Sequence, residues 1–317
     1  MRALITGGGG FVGLRLARAL LARGNEVDLT GLRETFDAAD FPAEQRQRLR
    51  WLPADARDAL EVNSVVERSH PDVVYHLVGV SFPPEAERTP TVTYDVNTVA
   101  VVRLLSSLQR LRVTGADPVV IVVGSGMQYG QHDLKEMPLV ESAAQRPTTV
   151  YAASKAAQEI AALQLGLGWG LRVICTRSFN HSGAGHDARS LLPSLVTRAR
   201  RVQRAESKTL ALGNDVVRDF LHVDDVVEAY LGLTERGTPG EVYNVCSGVG
   251  VTARALAERV LLRAGVTADI TTETSLVRPA DVPVLVGSPA KLMRDTGWLP
   301  TRTHDDIIDD LFHATTD

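Results

Sequence analysis

A tyrosine and a lysine four residues apart, in Tyr151-Ala152-Ala153-Ser154-Lys155, carry the most specific chemistry in the chain. On a helix, the i, i+4 spacing puts both side chains on one face. An ammonium beside a phenol favours the phenolate and lowers its pKa, which makes Tyr151 a usable general acid or base near neutral pH. Lys155 can also donate to a ribose hydroxyl. Alone, such a pair is also what a plain helix start looks like. A third group strengthens it. Ser125 follows the apolar run Val119–Val123, inside Gly124-Ser125-Gly126-Met127-Gln128-Tyr129-Gly130. A hydroxyl there stands at the carboxyl end of a strand, where open α/β sheets bind ligands.

The elements that must position these groups alternate along the first half. Arg2–Thr6 reads as a strand, and the stretch from Phe11 to Arg23 reads as a helix with Val12, Leu16, Ala17 and Leu20 at helical spacing. Gly24-Asn25 closes it. Glu26–Thr30, Leu52, Val73–Leu77, Val119–Val123 and Leu171–Thr176 supply further strands, separated by helices such as Val99–Leu111. This alternation predicts a Rossmann-type, doubly wound parallel α/β sheet. After Arg177 the segments shorten, and one strand-like run returns at Glu241–Val245. The expected organisation is a dinucleotide-binding domain over 1–177 that takes back about 217–247. A smaller, interleaved C-terminal substrate region spans 178–317.

Between the first strand and first helix lies Thr6-Gly7-Gly8-Gly9-Gly10-Phe11-Val12-Gly13. Gly7, Gly10 and Gly13 allow a tight turn and a close backbone approach to a pyrophosphate, which the helix N-terminus then faces with free amides. The position of the loop, opening a strand–helix–strand unit, points to a dinucleotide cofactor. The second strand distinguishes NADP from NAD. An NAD site ends that strand with an acid, yet here the strand end is Gly31, Asp28 falls in mid-strand, and Arg33 stands close enough to meet a 2′-phosphate. The expectation is NADP (NADPH), with NAD as the other possibility.

Bulk properties exclude other classes. The 317 residues carry a net charge of -4, against the basic surplus of nucleic-acid binders. No apolar run approaches the ~18 residues of a membrane span. The chain opens on a strand rather than a secretory leader. Cys175 and Cys246 lie in apolar surroundings, and His76, His132, His181 and His222 are scattered without ligand spacing. A cytoplasmic enzyme without a metal is expected.

Glycine loop, serine and tyrosine–lysine pair, in this order, resemble the extended short-chain dehydrogenase/reductases, the NAD-dependent epimerase/dehydratase family. The resemblance runs from end to end. It includes His76-Leu77-Val78-Gly79, Arg177-Ser178-Phe179-Asn180-His181 with Ser178 at the usual proline, Gly213–Phe220, Val242–Gly248, and Arg278-Pro279 followed by Val282-Pro283. It implies that Ser125 orients a carbonyl, Tyr151 donates the proton, and Lys155 tunes Tyr151 and holds the ribose. It implies cofactor contacts at Phe11, Val12, Asp55, Ala56, Leu77, Val78, Gly79 and Ser178. It implies substrate contacts at Ser81, Ser125, Asn180, Arg218 and Arg278, arginine being suited to gripping phosphate oxygens in two places. The second-half segments look most like reductases acting on GDP-linked 4-keto-6-deoxy-mannose, which implies a nucleotide-sugar substrate, a GDP-sugar by preference. The same resemblance implies a homodimer formed through helices beside the active site.

Three rival activities are weighed on residues. A 4,6-dehydratase carries an Asp/Ser-Glu pair directly after the catalytic serine or threonine, where this chain has Gly126 and Met127, neither able to move a proton. An NAD-retaining 4-epimerase uses the same three residues, and the NADP-type strand end argues against it. A non-catalytic NADP-binding regulatory protein has no need of an intact Ser125, Tyr151 and Lys155.

Overall fold

The computed structural model describes residues 1–33, 36–39, 41–277 and 281–314. The first half builds β1 (Arg2–Thr6), α1 (Phe11–Ala22), β2 (Glu26–Gly31), α2 (Ala43–Arg46), β3 (Leu49–Pro53), α3 (Ala59–Ser69), β4 (Val73–His76), α4 (Pro83–Arg88), α5 (Pro90–Tyr94), α6 (Ala100–Leu111), β5 (Val119–Ser125), α7 (Val150–Trp169) and β6 (Arg172–Ser178). The second half adds β7 (Asn180–Ser182), α8 (Leu191–Gln203), β8 (Thr209–Leu212), β9 (Val217–His222), α9 (Val223–Arg236), β10 (Val242–Val245), β11 (Gly250–Thr252), α10 (Ala253–Ala264), β12 (Asp269–Thr272), β13 (Val284–Leu285), α11 (Ala290–Thr296) and α12 (His304–Ala314).

Seven parallel strands form the main sheet in the order β10-β6-β5-β4-β1-β2-β3. The order reverses on either side of β1, so the strand ends open a crevice between β1 and β4, the switch point of a doubly wound fold. Strands covered on both faces read as continuous apolar runs, and Ala3, Leu4 and Ile5 of β1 are all fully buried. One face packs Leu16, Leu20 and Leu21 of α1 and Val226 and Tyr230 of α9. The other packs Val62 and Val66 of α3 with Leu104, Leu105 and Leu108 of α6.

The second half holds a small sheet in which β9 pairs with β7, β11 and β13, and a two-stranded β8–β12 pair. Its own core joins α8, α10 and α12 through Leu195, Val196, Leu256, Val260 and Ile308. Interleaving is visible in the chain path: β9 serves the small sheet, α9 packs on α1, and β10 returns to pair with β6.

α7 runs on to Trp169 through Gly166, where a Cβ would lie 3.0 Å from Val173 Cβ, so glycine lets the helix lie close on β6. β6 runs past Thr176, where its apolar pattern ends, to Ser178, because its register against β5 extends to the Ser125–Ser178 pair. α6 is preceded by a π-turn at Asp95–Val99, which the apolar periodicity does not reveal. Both cysteines are buried and unpaired.

Candidate active site

The glycine loop is shaped by close approach. Gly7 has φ +72°, and a Cβ on it would sit 2.8 Å from the Val78 amide nitrogen; a Cβ on Gly13 would sit 2.7 Å from the Gly8 carbonyl oxygen. Only glycine keeps β1, the β4 loop and α1 this close. Gly10 starts α1 with no side-chain cap and no acid in the first turn, whereas Asp58, Thr149 and Thr252 cap α3, α7 and α10. The α1 amides are therefore left for a ligand, and the helix dipole favours an anionic one. Phe11 and Val12 form this first turn, and Phe11 stacks on His186 at 4.7 Å. An apolar cleft opens beside the loop, lined by Gly7, Gly31, Ala54, Ala56 and Val78. Its place at the strand ends, its uncapped helix end and its apolar wall fit the adenosine end of a dinucleotide.

Gly31 ends β2 as expected, and Arg33 follows it, exposed. Asp28 is 1% exposed and turned away from the site: Arg50 grips its carboxylate through two 2.6 Å hydrogen bonds, and Ser69 donates to it at 2.7 Å. Asp55 forms an ion pair with Arg57 next to Ala56, and that pairing lowers its pKa.

Ser125 closes β5. Its hydroxyl accepts from the Met127 amide at 3.2 Å and stands near enough to the Tyr151 phenol to favour the phenolate. Tyr151 sits in the first turn of α7, which Thr149 caps through the Ala152 amide at 3.1 Å. Lys155, one turn on, is buried; its Nζ donates to Val123 O and Gln158 Oε1, both at 2.8 Å, and burial pushes its pKa down to about 8. Burial raises the Tyr151 pKa, and the neighbouring Ser125 hydroxyl opposes that rise. This differs from the expectation that Lys155 depresses the phenol: in this arrangement the ammonium is committed to Val123 and Gln158, and desolvation dominates at Tyr151. Leu77 donates to Thr6 O at 3.0 Å, and the loop then passes Lys155 closely enough that a Cβ on Gly79 would lie 3.4 Å from Nζ.

Several residues that serve this station escaped sequence reasoning. Asn97, fully buried on the π-turn, accepts from the Val80 amide at 2.7 Å and donates to Ser154 Oγ at 2.9 Å, so it ties the β4 loop to α7. Its only signal is a lone amide in an apolar stretch. Gln128, also fully buried, accepts from the Ser125 amide at 2.7 Å and donates to Glu159 at 2.9 Å. Glu159 holds Arg177 through bonds of 2.9 and 2.7 Å, and that guanidinium lies 4.7 Å over the Tyr129 ring. Residues 151, 155 and 159 share one face of α7, a spacing that could have flagged Glu159.

Gly126 and Met127, the positions a dehydratase would arm, carry no proton-transfer group here. A Cβ on Gly126 would meet the Phe179 ring at 3.0 Å, and Met127 packs against the Tyr129–Phe179 cluster.

The substrate-side residues are more dispersed. The Ser178 hydroxyl bonds Tyr230 at 2.7 Å, so its side chain is engaged within the fold. Ser81 and Asn180 are exposed. Arg218 on β9 donates to Val217 O at 2.9 Å and faces Asp281 at 3.7 Å, with Asn214 on the same carboxylate at 3.2 Å. Arg278 lies outside the described residues. Among the described residues no cluster of His, Cys, Asp or Glu could hold a metal, and no helix is long and apolar enough to cross a membrane.

Comparison with known proteins adds an independent line. The sequence profile of the family described as GDP-mannose 4,6 dehydratase matches residues 4–311. The chain is 37% identical over 257 residues to GDP-6-deoxy-D-mannose reductase of Pseudomonas aeruginosa, covering 80% of this chain and 84% of the relative. The structure of RMD from Pseudomonas aeruginosa complexed with NADPH superposes with a TM-score of 0.84 at 31% identity, covering 99% and 98% of the two chains. The UDP-glucose 4-epimerase of Thermus thermophilus with NAD superposes with a TM-score of 0.85 at 28% identity, covering 99% and 100%.

Proposed function

This chain belongs to the GDP-mannose 4,6-dehydratase family of extended short-chain dehydrogenase/reductases, and we propose that it uses NADPH to reduce the 4-keto group of a nucleotide-linked 6-deoxy sugar. The favoured reaction converts GDP-4-keto-6-deoxy-D-mannose to GDP-D-rhamnose. The observation that carries this reading is an intact Ser125–Tyr151–Lys155 station beside Gly126 and Met127, which are unable to perform the elimination of a dehydratase. The name of the Pseudomonas reductase and the NADPH of its structural neighbour support it.

Gly7, Gly10, Phe11, Val12 and Gly13 would hold the pyrophosphate of the cofactor. Gly31 and Arg33 would face its 2′-phosphate, Asp55 and Ala56 would border the adenine, and Leu77, Val78 and Gly79 would flank the path to the nicotinamide. Bound there, NADPH supplies the hydride. Tyr151 gives its proton to the 4-keto oxygen, and Ser125 donates a hydrogen bond to the same oxygen. Burial keeps the phenol protonated, which is the form a reduction requires. Lys155 holds the nicotinamide ribose and keeps Tyr151 in line. Asn180, Arg218 and Arg278 take the nucleotide diphosphate of the substrate, with Ser81 beside the sugar.

The same proposal divides the chain into a cofactor domain over 1–177 with about 217–247 and an interleaved substrate region within 178–317. It also makes the enzyme a cytoplasmic homodimer paired through α6 and α7, where Ile160 and Leu167 are 65% and 88% exposed. The test is a panel of GDP-, UDP- and dTDP-linked 4-keto-6-deoxy sugars with NADPH. The expected result is one NADPH consumed per sugar reduced, with GDP best, and turnover of Tyr151→Phe lower by about 10²–10⁴-fold. Tightly held NAD with interconversion of 4-epimers and no net cofactor use would replace the reading with an epimerase.

A further inference from the structure

The cleft beside Gly31 has an aromatic border that the reaction above does not use. Trp51 stands on β3, paired in register with Leu29 of β2. The edge of its indole lies where a side chain at position 31 would begin: a Cβ on Gly31 would be 3.0 Å from Trp51 Cη2 and 3.6 Å from Cζ2. The same edge reaches the glycine loop, since a Cβ on Gly9 would be 3.6 Å from Cη2. The indole thus spans the gap between the glycine loop and the end of β2, along which the adenosine ribose of a dinucleotide runs. The ring is held on two sides. Its Nε1 donates to the Arg33 carbonyl at 2.8 Å, and its face stacks on Phe36 at 5.1 Å with planes 16° apart.

We propose that Trp51 determines cofactor specificity, by excluding an acid from position 31 and by fixing the backbone that presents Arg33. The inference rests on the NADPH reading above and deepens it. An NAD site needs a carboxylate at the end of the second strand, and here its Cβ would crowd a ring at 3.0 Å that the Arg33 bond and the Phe36 stack hold in place. A 2′-phosphate needs the opposite, space at Gly31 and a cation held nearby. One side chain meets both needs. Asp28, the acid within β2, is meanwhile locked by Arg50 and Ser69.

The experiment measures binding of 2′,5′-ADP and 5′-AMP by calorimetry to the full chain, with Trp51→Val, Trp51→Phe, Gly31→Asp and the Gly31→Asp/Trp51→Val pair. The two ligands differ only in the 2′-phosphate, so their affinity ratio reads specificity without turnover. Wild type is expected to favour 2′,5′-ADP. Trp51→Phe keeps an aromatic ring on β3 but loses the N–H and the indole edge beside Gly31, and the lost hydrogen bond alone should cut the ratio by about two- to tenfold. Trp51→Val should cut it at least as far while leaving 5′-AMP binding nearly unchanged. Gly31→Asp alone should bind both ligands poorly, and adding Trp51→Val should restore 5′-AMP binding and reverse the preference. A wild-type ratio retained in both Trp51 variants overturns the proposal, and so does a Gly31→Asp variant that prefers 5′-AMP without the second change. A wild type that does not favour 2′,5′-ADP overturns the NADPH reading itself, and this proposal with it.

Discussion

In the cofactor half, the groups proposed to meet a ligand stand at the ends of neighbouring parallel strands. Gly7 follows β1, Gly31 ends β2, Leu77 follows β4 and Ser125 ends β5. In the substrate half, Arg218 stands on β9, whose small sheet contributes only short ladders on either side. There, buried carboxylates do the joining. Asp219, fully buried, accepts from the Ser247 amide at 2.8 Å, the Ser247 hydroxyl at 2.6 Å and the Gly248 amide at 2.9 Å. Asp225 at the start of α9 accepts from Thr301 Oγ1 at 2.9 Å and from the Arg302 amide and guanidinium at 3.0 and 2.9 Å. A long ladder fixes several strand ends at once, so side chains at those ends are spared for chemistry. A short one must be completed by side chains, which are then lost to ligands.

The sharpest way to break this contrast is Glu159. It lies in the cofactor half, yet it behaves like Asp219: it ties α7 to β6 through Arg177 and to the Ser125 turn through Gln128. Glu159→Ala leaves the Arg177 guanidinium buried without its carboxylate. The expected loss is about 3–5 kcal/mol of unfolding free energy, measured by denaturant titration. A loss under about 1 kcal/mol, the size of an ordinary surface change, would mean that the ladder alone holds this half together.

A smaller effect sharpens the other side of the comparison. Arg218→Ala should weaken sugar-nucleotide binding by about 1.5–3 kcal/mol, the range for a hydrogen bond to a charged group. NADPH binding should change little, because no cofactor contact assigned here involves β9. Calorimetry with each ligand in turn gives both numbers. The reverse pattern would move Arg218 out of the substrate region and with it the boundary between the halves.

The same contrast explains what could be read from the sequence. The glycine loop, Ser125, Tyr151 and Lys155 were legible because each is a local signal: a turn needing glycine, a residue at the end of an apolar run, a pair at helical spacing. The parallel sheet was legible because its strands are apolar on both faces. Gln128, Glu159 and Arg177 were not legible as a unit, since their contacts join residues 18 to 31 positions apart that only the β5–α7–β6 packing brings together. Asn97 was hidden by a π-turn that no periodicity announces. Trp51 looked like an ordinary strand residue, because its significance lies in two glycines of other elements. The tuning of Tyr151 was misjudged for a related reason. Spacing places Lys155 on the right face, and it says nothing of the carbonyl of Val123 and the amide of Gln158 that claim the ammonium.

That last point yields the mildest test, and one in which activity and stability move in opposite directions. Lys155 is buried, and desolvation lowers its pKa to about 8 in the folded chain, against about 10.4 for an unperturbed lysine. Between these values the folded chain binds fewer protons than the unfolded one. Stability therefore rises with pH across that window, and the difference curve between wild type and Lys155→Met isolates this contribution from other titrating groups. Below pH 8 the buried charge is a burden, so Lys155→Met should be more stable than wild type at neutral pH while losing activity. Catalysis needs the opposite state. The charged amine is the form that donates to a ribose hydroxyl while still bonding Val123 and Gln158, so kcat/KM, which reports the free enzyme, should fall as pH rises through about 8. Thermal unfolding and initial rates over the same pH series check both limbs. Activity that stays level to pH 10 would place the ammonium outside the catalytic step. A wild type that stays level in stability while activity falls would mean that substrate or another group, not the burial of Lys155, sets the limb.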